Sequence, residues 1–161
     1  MFQILHSNLY FGSNEGFKKL ENKLEFAIVH FCKSSFEKYS NNDKKINIQK
    51  NIYELNNELF VDIVDEQDPD YFEFEMFVQI LKWLNKREKV FVHCDYGQSR
   101  SPSFCMLYSS KVLKVLRSDF LDCIRVIKKI QPEFVIPSGI TKFLKSNWKK
   151  FDLALNSTQQ S

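Results

Sequence analysis

Apolar positions along this chain follow two periods, and the switches between them mark out short strands and amphipathic helices. Residues 2–11 alternate loosely up to Gly12, which predicts one or two short strands and a turn, after which Ser13 can cap a helix. Phe17, Leu20 and Leu24 fall at i, i+3 and i+7, so the spacing predicts a helix over 15–25 leading into a buried strand at 26–32. The polar stretch 41–51 has the composition of a loop. A strand is predicted at 59–64, closed by the acidic, proline-containing segment 65–70. Phe74, Phe77, Val78, Leu81 and Leu84 then trace one face of a helix over 72–87. A short strand at 89–93 and a helix over 101–116 follow, joined by a loop of about seven residues. A third helix opens at Ser118 with Leu121, Ile124 and Ile127 on its apolar side and stops at Pro132. The fourth opens at Ser138 and carries Ile140, Leu144 and Phe151, leaving a polar, frayed tail at 156–161. Strands alternating with helices predict an α/β fold with a mostly parallel central sheet flanked by helices, built as one domain over 1–155. In such sheets ligands bind beyond the carboxyl ends of the strands.

Composition narrows the functional classes. With 161 residues, 43% hydrophobic and 27% charged, the chain can bury a single core and does not have the make-up of a disordered segment. Its net charge of +3 falls short of the basic footprint of a nucleic-acid binder, so nucleic acid is not an expected partner. Apolar runs such as 90–92 and 134–136 are far too short to span a bilayer. Without a basic and apolar leader after Met1, the expected compartment is intracellular, the cytoplasm first. Cys32, Cys94, Cys105 and Cys123 are widely spaced, like neither a disulfide framework nor a zinc site, and Cys32, Cys105 and Cys123 suit core filling. Lys outnumbers Arg 19 to 4, so each arginine stands out.

One of those arginines closes the segment with the most chemistry. His93-Cys94-Asp95-Tyr96-Gly97-Gln98-Ser99-Arg100-Ser101 lies between a predicted buried strand and a helix N-terminus. Backbone N–H groups of residues 95–100 can surround phosphate oxygens, Gly97 permits a turn that a side chain would obstruct, and the helix adds the positive end of its dipole. Arg100 supplies a planar fork for two phosphate oxygens, which a lysine cannot. The same electropositive loop favours the thiolate of Cys94, the nucleophilic form, which can attack phosphorus in line and split one difficult displacement into two easier ones. His93 is expected to orient the loop by hydrogen bonding.

The pattern His-Cys-x5-Arg-Ser at 93–101 resembles the phosphate-binding loop of cysteine-dependent protein tyrosine phosphatases, and its form HCxxGxSRS resembles the dual-specificity branch. Segments 9–12, 27–30, 62–65, 71–72 and 132–140 fall in family-like order, so the resemblance covers residues 3–151. It implies a general acid, an aspartate about thirty residues before the cysteine on a mobile loop. Asp65 lies 29 residues before Cys94, Asp62 32 and Asp68 26. Asp65 is preferred, because Asp62 is expected within a strand and Asp68 is followed by Pro69. Ser101 matches the hydroxyl that helps the cysteine sulfur leave the intermediate. Three positions depart from the family pattern: Tyr96 stands where a small residue is common, and Gln131-Pro132 and Pro137-Ser138 replace Arg-Pro and Pro-Asn.

The resemblance thus implies a dual-specificity protein phosphatase needing no metal or cofactor, acting as a monomer on proteins phosphorylated at tyrosine and at serine or threonine. An RNA 5′-phosphatase or a phosphoinositide phosphatase of the same fold, and a phosphoprotein-binding module without turnover, remain as alternatives.

Overall fold

In a computed structural model, residues 1–159 are described. Seven strands form one sheet: β1 (Phe2–Gln3), β2 (Leu9–Gly12), β3 (Ala27–His30), β4 (Ile46–Gln49), β5 (Ile52–Leu55), β6 (Glu58–Val61) and β7 (Val90–His93). Their order is β1-β2-β7-β3-β6-β5-β4. The central four, β2, β7, β3 and β6, are parallel, while β1, β5 and β4 extend the edges antiparallel. The helices are α1 (Asn14–Lys18), α2 (Lys33–Tyr39), α3 (Phe74–Leu84), α4 (Arg100–Lys111), α5 (Phe120–Ile130) and α6 (Gly139–Gln159). Among the described residues no helix is long and apolar enough to cross a membrane.

Strand parity separates two cores. Ala27, Val29, Leu59, Val61, Val90 and Val92 point to one face, where they pack with Phe77, Leu81, Phe104, Leu107, Ile127, Leu144 and Phe151 of α3 to α6. Ile28 and Phe91 point the other way, against Phe17 and Leu20, and Tyr53, Leu55 and Phe60 do the same against Phe36. The parallel strands are therefore buried on both faces, which explains their unbroken apolar runs.

Several elements differ from the sequence expectation. The predicted helix over 15–25 stops at Lys18, with Ser13 Oγ accepting from Gly16 N as its cap. Asn22 then takes a left-handed φ of 52° and a 3-10 turn follows, leaving Leu24 fully exposed instead of on a buried stripe. Segment 41–51 is not all loop, because β4 occupies its second half. As an edge strand with Ile46 exposed, β4 has too little burial to show alternation. β5 and β6 form a hairpin across Asn56-Asn57, both at positive φ as a tight primed turn demands. β6 ends at Val61, so Asp62 lies past the strand and not within it. α2 buries no residue and so leaves no periodic signal. α4 ends at Lys111, short of residue 116. α5 is capped by Asp119, whose side chain accepts from Asp122 N, and it buries Cys123 and Ile127 while Leu121 is exposed. α6 runs on to Gln159, so the predicted frayed tail is helical from 156 to 159, and positions 160–161 lie outside the described residues.

Candidate active site

The four parallel strands end together, at Gly12, His30, Val61 and His93, and the residues just past those ends converge. Cys94 is the first residue beyond β7, and its backbone N–H donates to Gly12 O at 3.3 Å. Its Sγ accepts from Ser101 N at 3.4 Å, the second residue of α4, and lies 3.3 Å from Ser101 Oγ. That hydroxyl also donates to Gly12 O at 3.1 Å. It has one proton and two neighbours that can take it, so it can turn from the carbonyl to a negatively charged sulfur.

Gly97 shows why the loop needs glycine. Its φ is +70°, and a Cβ there would sit 2.8 Å from Gly12 C and 2.9 Å from Ser13 N. The loop thus runs directly against the turn between β2 and α1. Its outer side is braced by the segment after α5. Gln131 Nε2 donates to Gly97 O at 3.1 Å, Val135 N donates to Gln98 O at 2.8 Å, and Gln98 Nε2 donates to Glu133 Oε2 at 3.0 Å. Gln131, where the family pattern has arginine, still supports the loop. Tyr96 stands outward and is 78% exposed.

Arg100 is 4% exposed and held through both terminal nitrogens. Nη1 donates to Phe31 O at 2.9 Å and to Ile63 O at 3.1 Å, carbonyls just beyond β3 and β6. Nη2 donates to Asp95 Oδ2 at 2.6 Å, while Nε has no hydrogen-bond partner among the described residues. Burial opposes the guanidinium charge, but the Asp95 hydrogen bond and nearby negative groups outweigh it, so the pKa of Arg100 is raised. An unpartnered buried donor is costly.

The three candidate aspartates separate clearly. Asp65 Oδ1 accepts from Ser99 Oγ at 3.0 Å and so touches the loop. Asp68 caps the 3-10 turn Pro69–Tyr71, accepting from Asp70 N at 2.9 Å. Asp62 lines a small cavity with Asn51, Tyr71 and Met76.

His93 is buried behind the loop, stacked on Phe17 at 4.6 Å. Burial, and then the charges of His30, Arg100 and Lys23, hold its pKa well below the usual histidine value, so the ring is neutral. Its Nδ1 is 2.8 Å from Asn14 Oδ1, and Asn14 Nδ2 donates to Asp95 Oδ1 at 3.0 Å. On its other side Nε2 is 2.5 Å from His30 Nδ1. Sequence reasoning missed Asn14 and His30. One signal for His30 exists: it is the lone polar residue closing the apolar run Ala27–His30. Cys32, expected as core filling, is indeed buried, but its Sγ lies against Asn14 Oδ1 and His93 Nδ1. Burial, with Asp95 adding to it, pushes its thiol pKa up.

A strand-loop-helix cradle with a cysteine at its base and a buried arginine at its end suits tetrahedral oxyanions. Comparison with curated proteins gives no match for the chain. The family model described as dual specificity phosphatase, catalytic domain, matches residues 9–147, which takes in every element from β2 to α5 and the first part of α6. The chain therefore belongs to the dual specificity phosphatase catalytic-domain family, and it is a phosphatase of that fold.

Proposed function

We propose that this phosphatase hydrolyses phosphate monoesters on proteins, at tyrosine and at serine or threonine, through a phosphocysteine intermediate. Cys94 attacks phosphorus as the thiolate while the backbone N–H groups of residues 95–100 and the Arg100 guanidinium hold the phosphate oxygens. The P–O ester bond breaks as the S–P bond forms, and Asp65 gives its proton to the leaving oxygen. In the second step the Asp65 carboxylate takes a proton from water, which attacks phosphorus and breaks the S–P bond. Ser101 Oγ, turned from Gly12 O, donates to the departing sulfur. His93 orients the loop. The observation that supports this reading is the buried Arg100, which closes the loop opened by Cys94 and whose Nε has no hydrogen-bond partner among the described residues while Nη1 and Nη2 are tied down.

A protein substrate is favoured over RNA or a phosphoinositide by the charge around the loop. Three carboxylates touch it: Asp95 within it, Asp65 on Ser99 and Glu133 on Gln98. These repel a carrier with several phosphates and suit a phosphopeptide of basic or neutral sequence. The test is hydrolysis of an aryl phosphate with EDTA and reductant present, for wild type and Cys94→Ser. Metal-independent turnover lost in the variant supports the mechanism. A phosphopeptide, 5′-phosphorylated RNA and phosphoinositide panel then decides the carrier. No turnover by fresh reduced protein overturns the hydrolase reading in favour of a binding module.

A further inference from the structure

The hydrogen bonds behind the loop do not end at His93. His30 Nε2 lies 2.6 Å from Glu58 Oε2, on the next strand. Five contacts therefore run without a gap from the half-exposed Glu58, through His30, His93, Asn14 and Asp95, to the guanidinium of Arg100. We propose that Glu58 and His30 are positioning residues, which set the orientation of Asp95 and Arg100 in the phosphate cradle through His93 and Asn14. This inference rests on the loop being the reaction site.

Sheet geometry makes the chain possible. His30 and His93 are register partners on β3 and β7, and Glu58 and Phe60 share the same face on β6. Phe60 stacks on His30 at 4.3 Å and Phe17 meets it edge-on at 5.0 Å, so aromatic rings clamp the pair. The charged or titratable groups facing His30 are Glu58 from β6 and His93 from β7, with Lys23 held over the Phe17 ring at 4.4 Å.

The chain also has a fixed direction. Asp95 is an acceptor, so Asn14 must turn its amide nitrogen toward it and its oxygen toward His93. His93 then donates from Nδ1, and its neutral ring can only accept at Nε2. His30 then donates from Nδ1 to His93, and its Nε2 faces Glu58 Oε2 at 2.6 Å. Removing the Glu58 carboxyl group leaves that nitrogen without its partner and frees His30 to turn, and with it the order of donors and acceptors through His93, Asn14 and Asp95.

The experiment combines nitrogen-15 spectroscopy of the histidine rings with kinetics on the full chain. His93 should show a single proton at Nδ1, and His30 a proton at Nδ1, the nitrogen that faces His93. Glu58→Ala should lower kcat/KM and weaken inorganic phosphate binding, each by about five- to tenfold, with thermal stability close to wild type. Glu58→Gln keeps a polar partner for His30 Nε2, so it should restore most of the lost phosphate affinity and kcat/KM, a rescue that a merely structural role would not produce. A His93 ring protonated at Nε2 instead of Nδ1 overturns the proposal. So does a Glu58→Ala protein with unchanged phosphate affinity and kcat/KM. If wild type lacks Cys94-dependent turnover, the hydrolase reading falls instead, and the ring spectra and phosphate affinity still decide the chain.

Discussion

α4 carries a buried cation at each end, and the two are held in opposite ways. Lys111, in its last turn, pairs with Asp152 at 2.9 Å and lies 4.6 Å over the Trp148 ring. A cation there also complements the negative end of the helix dipole. Arg100 sits at the first position, where the dipole opposes a positive charge, and even with Asp95 at 2.6 Å it keeps one donor unpartnered. The C-terminal cation is placed as stability alone would place it. The N-terminal one keeps a buried donor without a partner among the described residues, which suits the anion-binding role proposed for it.

The sharpest way to break this contrast is Arg100→Lys. It should lower kcat/KM for an aryl phosphate by about 10²- to 10³-fold, with a melting temperature near that of wild type. A large loss of stability with modest loss of activity would make Arg100 a structural ion like Lys111. Next in size is Asp65→Asn, expected to cut turnover of a poor leaving group by about 10²-fold but of a nitrophenyl-type leaving group by less than about tenfold. Equal losses on both substrates would move the acid to Asp68 or Asp62.

A smaller effect separates the two ends through acid. His93, behind the Arg100 end, has a folded pKa well below its unfolded value of about 6.5. The unfolded chain therefore binds the proton first, and stability should fall as pH drops below about 6.5, with a slope approaching 1.4 kcal/mol per pH unit. Urea unfolding at a series of pH values measures it, and His93→Gln should flatten it. Smallest is Lys111→Met. It should destabilise by about 1 kcal/mol, since Asp152 remains solvated, and leave kcat/KM and the acid slope unchanged. Lost activity in that variant would mean the two ends are coupled.

The candidate loop 93–101 stood out because such a motif is local. One strand end, one glycine and one helix start supply its donors in nine consecutive positions. The central strands were legible too, since burial on both faces leaves continuous apolar runs. Elements that bury little, such as α2 and β4, left no such trace, and Leu24 and Leu121 gave a helical spacing that no packing surface answers.

The sequence by itself determined the parallel α/β architecture, and it set out the candidate loop at 93–101 and the three aspartates from which an acid is proposed. Only the tertiary structure brought Asp65 to Ser99, left Arg100 Nε without a partner, and aligned Glu58, His30, His93 and Asn14 behind the loop. The reason lies in distance along the chain. Local backbone preference acts within a few residues, whereas contacts between residues 28 to 79 positions apart depend on strand order and register. Those are set by how the whole sheet buries its two faces.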